Sequence, residues 1–255
     1  MILKTSLISV LIFLLLFFRS NAQIVNIECE RIKTDTTGWS GDTKLGVNLF
    51  KDVNSGFTFF NESHLQYKTP RNLYLLKAAG YFTEYNSKQI SNAAFLHLRH
   101  NMKITPWLRM EEFTQIQDNK ITGIDLRYLL GAGPRFKIFQ KEKSAMYFAA
   151  LPMFEYEEDL YPGKRKVIEK NFRLSTYLSL TWQANAILTL VHTTYYQPLL
   201  RNINDFKIFS ESKLRLSISK HAAIEIGYRF IYDNDPIPGI PGSIYYLDNS
   251  LKFSF

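Results

Sequence analysis

Residues 243–255 read SIYYLDNSLKFSF, and their alternation decides the fold. Tyr245, Leu247, Leu251, Phe253 and Phe255 fall on one side of an extended chain, while Tyr246, Asp248, Ser250, Lys252 and Ser254 fall on the other, because successive strand side chains point to opposite faces. A helical period would scatter both sets around an axis. The final stretch is therefore a strand with one apolar and one mostly polar face.

Working back along the chain, the same pattern recurs. Ile224, Ile226, Tyr228, Phe230 and Tyr232 oppose Glu225, Gly227 and Arg229; Phe172, Leu174, Leu178 and Leu180 oppose Arg173, Ser175 and Ser179. Twelve such segments fall at 39–50, 56–68, 73–84, 92–103, 107–117, 123–139, 145–157, 170–181, 185–197, 206–219, 222–232 and 243–255. Most exceed the ~5–6 residues usual for soluble strands and cover the ~9–11 needed for a tilted membrane strand. A soluble sandwich or lipocalin-like barrel would alternate too, so strand length and connections must discriminate. The even-numbered connections are tight. The odd-numbered ones include Glu158–Glu169, Pro198–Asp205 and Asp233–Gly242, expected as long loops at one end. Short turns opposite longer loops, with an even strand count, predict an all-β, antiparallel, up-and-down barrel of outer-membrane type with both termini periplasmic. Phe59, Phe60, Tyr67, Tyr81, Phe82, Tyr85, Phe154, Tyr156, Tyr195, Tyr196, Tyr245 and Tyr246 are expected in its aromatic girdles.

The start of the chain agrees with that address. Lys4, the apolar run Leu7–Phe18 and Ser20-Asn21-Ala22 form a signal peptide over residues 1–22. At 1.5 Å per residue the run reaches only about 18 Å of a roughly 30 Å hydrocarbon core, too short to span it. Residues 23–38 are expected as a periplasmic segment, a lumen plug or an extra strand, and 39–255 as the barrel. Loss of Lys4 and Arg19 takes the formal charge from +8 to +6, an excess suited to anionic lipid headgroups.

Composition excludes several classes. With 46% hydrophobic and 21% charged residues in 255, the chain is neither disordered nor collagen-like. Cys29 stands alone, so no internal disulfide forms. His97 and His100 sit three apart in a strand and face opposite ways, which gives no metal site. Gly131 and Gly133 lie within a strand pattern rather than before a helix, so there is no phosphate loop. No cofactor, metal or nucleic-acid partner is expected. The expected partners are outer-membrane lipids, lipopolysaccharide, to which Lys164-Arg165-Lys166 offers charge, and the barrel-assembly machinery, for which Leu251, Phe253 and Phe255 resemble the aromatic C-terminal signal.

The stretch Asn92–Ile138 contains Phe95–Asn101, then Glu111-x-Phe113-x-Gln115 and Arg127-x-Leu129-x-Gly131-x-Gly133-x-Arg135. It resembles the family of salt-induced outer-membrane proteins, a domain of unknown function numbered 481. That resemblance implies an outer-membrane barrel and no established activity.

Alternation places these odd-numbered residues inside the barrel. The interior is expected to carry Glu62, His64, Arg99, Arg109, Glu111, Phe113, Gln115, Arg127, Gly131, Gly133, Arg135, Glu155, Arg173, Lys213, Arg215, Glu225, Arg229, Asp248 and Lys252. A hairpin turning near Asn119-Lys120 would set Arg109 opposite Gly131, Trp107 opposite Gly133 and Glu111 diagonal to Arg127 as an ion pair. The charged interior residues number nine cationic and five anionic, which predicts an anion-favouring passage if the lumen is open. The leading expectation is a non-enzymatic envelope protein, structural under osmotic stress or a narrow passage for ions and small solutes. The alternatives are a lipid-modifying enzyme using His192 at the rim, and a barrel whose loop Asp233–Gly242 grips an extracellular ligand.

Overall fold

The computed structural model describes residues 37–51, 55–85, 88–119, 124–161 and 165–254. Residues 1–22, Cys29, most of the segment 23–38 and Phe255 lie outside them. Among the described residues the chain forms twelve strands: β1 Gly38–Lys51, β2 Ser55–Lys68, β3 Asn72–Tyr85, β4 Lys88–Lys103, β5 Leu108–Asn119, β6 Ile124–Lys141, β7 Ser144–Tyr161, β8 Arg165–Gln183, β9 Leu188–Leu199, β10 Asn202–Ser217, β11 Ala222–Asp233 and β12 Ser243–Ser254. Each pairs antiparallel with its sequence neighbours, and β1 closes on β12 to complete the barrel. The twelve strands are those that alternation predicts, with ends differing by a few residues.

Alternation also sets the two faces. Interior positions are even-numbered in β1, β2 and β12 and odd-numbered in β3 to β11. Outside, Phe172, Leu178, Leu247 and Tyr245 stand exposed, the last by 72%. An exterior this apolar around a charged interior inverts the soluble arrangement and suits a lipid surround. The aromatic expectation needs correction: Phe60, Tyr81, Tyr195 and Tyr246 lie on the interior parity, Phe60 and Tyr195 fully buried. Clusters of adjacent aromatics necessarily split between the faces of a strand.

Four of the five short turns share one device. Thr69, Thr105, Asn185 and Ser219 each accept, through the side-chain oxygen, the backbone N–H three residues on, at Asn72, Leu108, Leu188 and Ala222 (2.9, 3.0, 2.8 and 3.1 Å). Short polar side chains that mimic a backbone acceptor favour such turns.

At the opposite end the expected loops are mostly strand. The β7–β8 ladder continues to Tyr161↔Arg165, and β9 and β10 leave only residues 200–201 between them. Only the β11–β12 connection, 234–242, remains long. The asymmetry persists as strands that outreach the rest of the wall. Along the β7–β8 hairpin the facing backbone groups pair with each other rather than with water.

Register departs from expectation at β5–β6. Arg109 faces Arg135, Glu111 faces Gly133, Phe113 faces Gly131, and Gln117 faces Arg127, four residues beyond the expected placement. The pairing also shifts between Gln117 and Asn119, an irregularity that alternation does not encode. Gly131 does make room for a large neighbour, though a different one, whereas Gly133 makes room for backbone. A Cβ on Gly131 would lie 2.6 Å from the Phe113 ring, and one on Gly133 2.4 Å from the Ala150 carbonyl oxygen of β7.

The seam is the thinnest part of the wall. Four Cα pairs, from Asp42↔Ser254 to Leu45↔Leu251, join β1 to β12, against eighteen in β7–β8.

Candidate functional site: a charged, cross-tied lumen

The interior divides into two sectors. On β5 to β10, Phe113, Leu129, Leu151, Met153, Tyr177, Tyr195 and Phe209 pack into an apolar cluster. Around the seam, β1, β2 and β10 to β12, joined by Lys77 of β3, turn mostly polar side chains inward, among them Asp42, Lys44, Glu62, His64, Lys213, Glu225, Arg229 and Lys252, all buried, while Leu75 and Ala79 of β3 pack with Phe95 of β4 in a second apolar cluster. Buried charges need opposite partners, because desolvation costs several kcal/mol per ion. Three networks supply them.

The first surrounds Glu111. Arg99 Nη1 approaches its Oε1 at 2.8 Å and Arg135 Nε its Oε2 at 3.6 Å. Tyr177 donates its hydroxyl to the same carboxylate and accepts from Arg135 Nε at 2.9 Å. The Arg135 guanidinium also lies 3.7 Å from the centre of the Tyr147 ring, a cation–π contact. Gln115 meets His97 Nδ1 at 2.7 Å, and the His97 ring stacks on Phe113.

The second joins Arg127, Glu155, Glu157, Arg173 and Lys207 toward the long-loop end. Arg127 pairs with Glu155, and its Nε reaches Glu157 at 2.8 Å. Arg173 bonds Glu155 at 2.6 Å and Asp205 at 2.9 Å, while Lys207 reaches Glu157 at 3.1 Å. The third runs along the polar sector. Lys44 lies 2.8 Å from Glu62 and 3.0 Å from Glu225; Lys77 lies 3.2 Å from Glu62; Arg215 joins Glu225 at 3.0 Å. Arg229 pairs with Asp248 and donates to the Tyr81 hydroxyl at 2.9 Å. Lys252 and Asp42 meet across the seam at 3.0 Å.

The structure thus brings together most of the residues singled out by alternation, though not as expected. Glu111 does not pair with Arg127; the register shift gives Glu111 to Arg99 and Arg135, and Arg127 to the acids of β7. Arg109, Arg215 and Asp248 are only half-buried. Asp42, Lys44, Lys77, Glu157, Asp159 and Glu211 are buried too, and the sequence reading left them out. Their parity was available: Ser40, Asp42 and Lys44 alternate, as do Glu155, Glu157 and Asp159. The latter run into Tyr161-Pro162-Gly163, which suggested a loop. With them the buried charged side chains of the described residues are nine cationic and eight anionic. The excess behind the expected anion preference is mostly cancelled.

His192 faces outward on β9. It meets Ser212 Oγ at 2.8 Å and Thr194 Oγ1 at 3.1 Å, and Thr194 meets Ser210 at 3.0 Å. This polar patch satisfies its own hydrogen bonds on a wall otherwise apolar, with Leu178 and Leu180 on β8 and Tyr228 and Phe230 on β11 opposite it.

A closed antiparallel barrel with an apolar exterior and a charged interior defines an outer-membrane-type β-barrel. A family model described as a protein of unknown function, DUF481, matches residues 34–255, and the chain belongs to that family. No curated protein matches the chain. Among solved structures the translocator domain of autotransporter NalP from Neisseria meningitidis is similar in fold, with 8% identity and a TM-score of 0.50, covering 86% of this chain and 89% of that one. The NanC porin superposes with 9% identity and a TM-score of 0.49, over 84% of this chain and 97% of that one. A KdgM porin in complex with disordered oligogalacturonate gives 10% identity and 0.49, over 85% and 99%.

Proposed function

We propose that this barrel resides in the outer membrane of a Gram-negative cell, with both termini periplasmic, and serves as a narrow passive passage for ions and small solutes. One observation carries the reading: a polar interior sector spans β1, β2 and β10 to β12, with charged groups from Lys252 and Asp42 through Lys44 and Glu225 to Arg229 and Asp248. A barrel with only a structural task gains nothing from burying such groups, since apolar packing is as stable or more so. Eight strands leave an interior just filled by side chains, whereas sixteen leave an aqueous channel. Twelve strands lie between, and the ties between Tyr81 and Arg229 and between Lys44 and Glu225 narrow the lumen further.

Residues 1–22 serve as the signal peptide in this reading, 23–38 as a periplasmic segment, and Leu251, Phe253 and Phe255 as the signal for the barrel-assembly machinery. Lipids and lipopolysaccharide surround the wall. A role under salt or osmotic stress is part of this reading on the sequence resemblance of Asn92–Ile138 alone. A non-enzymatic role fits the outward site best, because His192 is engaged by Ser212 and Thr194 within the apolar wall.

Planar-bilayer conductance of folded mature protein tests the passage, folding being verified by an unboiled gel shift. Small, steady, salt-dependent steps are expected. Silence from verifiably folded protein over a range of voltages would overturn passage and leave the structural role.

A further inference from the structure

At the long-loop end the lumen widens into a cavity of about 150 Å³, comparable to an engineered cavity that holds benzene. Six carboxylates and four cationic side chains line it together with Ile231, Ile237, Ile240, Ile244 and two prolines of the β11–β12 connection, a segment that also supplies Asp233 and Asp235.

Three of the four cations are already occupied, and the fourth, Arg201, is exposed. Arg127, Arg173 and Lys207 are held by Glu155, Glu157 and Asp205. Asp159 is not so held. It lies on the interior parity of β7, is 3% exposed and lines the cavity. Its Oδ1 has no hydrogen-bond partner, and it makes no ion pair among the described residues. A carboxylate taken out of water without a partner is costly, and here it faces a space large enough for a small molecule.

We infer that this cavity binds a small organic cation, a primary ammonium on a short alkyl body, with Asp159 accepting from the ammonium and the isoleucines covering the alkyl chain. A bare metal ion would gain nothing from the isoleucines, and the described residues contain no group of three or more His, Cys, Asp or Glu placed to hold one. An anion would meet six carboxylates against four cations, three of which are already paired. The inference goes beyond passage and does not depend on it, since a bound cation requires only the cavity.

The test is calorimetric titration of the folded full-length barrel in detergent with n-butylammonium, n-butanol and butyrate. Saturable binding of butylammonium alone is expected, weakened about tenfold or more in Asp159→Asn and unchanged in Asp125→Asn, whose carboxylate pairs with Lys166 and does not line this cavity. Absence of saturable binding, equal binding of butanol, or unchanged affinity in Asp159→Asn would overturn it. Should Asp159→Asn fail to fold, methylammonium on the wild-type protein decides: a clear preference for butylammonium over both methylammonium and butanol supports the site, and its absence rejects it. Because the readout is binding, a non-conducting barrel can still pass and a conducting one can still fail.

Discussion

Tyr177 on β8 donates its hydroxyl to Glu111 on β5, at 2.9 Å from one carboxylate oxygen and 3.0 Å from the other, although two strands stand between them in the wall. The bond crosses the inside of the barrel. It also closes the network in which Arg99 and Arg135 hold Glu111, so three strands besides β8 depend on one carboxylate.

Glu111→Ala should therefore be among the most destabilising single changes, by about 3–5 kcal/mol, because it strands two buried guanidinium groups. Tyr177→Phe should cost about 1–3 kcal/mol, leaving Arg135 Nε short of an acceptor. Urea unfolding in detergent micelles, followed by tryptophan fluorescence, would give both values. Equal stability of Glu111→Ala and wild type would refute the network's importance.

Gly131→Ala and Gly133→Ala should differ in kind. The first brings a Cβ against the Phe113 ring, the second against the β7 backbone at Ala150 and Leu151. Shortening Phe113 to Leu should rescue Gly131→Ala and leave Gly133→Ala unrescued. Off-rotamer and backbone shifts of this sort cost about 1–3 kcal/mol, readable in the same unfolding assay.

Leu178→Arg tests the lipid surround. Leu178 faces outward on β8, five positions from the end of the strand at Gln183. An arginine near the bilayer midplane costs about 2–4 kcal/mol, so the variant should be destabilised in phospholipid vesicles. The effect should shrink in water-rich detergent. The same substitution at Ile168, outward but near the long-loop end, should be nearly neutral.

Ion selectivity should be weak, because buried cationic and anionic side chains of the described residues nearly balance. The reversal potential under a salt gradient is expected close to zero. Glu211→Gln, which leaves Lys213 without the carboxylate 3.2 Å away, should move it toward anions. A strong native preference for either ion would contradict the charge count.

The strands were legible because side-chain parity is a local property: Phe172 to Leu180 declares its lipid face without knowledge of any neighbour. Register was not legible, because the offset between β5 and β6 depends on the connection after Asn119 and on the irregularity at Gln117, neither of which leaves a mark on alternation. For that reason alternation alone gives Glu111 the wrong arginine. Asp159 was missed differently. Its acidic surroundings look like a solvated loop in one dimension, and only the continuation of the β7–β8 ladder to Tyr161↔Arg165 carries it into the interior.

The seam has a consequence for how the molecule comes into being. Asp42 meets Ser254, and Leu45 meets Leu251, so the four rungs that close the wall join nearly the two ends of the described chain. Loop-closure entropy and long sequence separation both delay such contacts. The last stitch is also the shortest, and until it forms the edges of β1 and β12 are open to pairing with any other strand. Assembly speed and fidelity should therefore hinge on these few residues, and crowding of unfinished copies should favour mispairing between chains at this edge before any other.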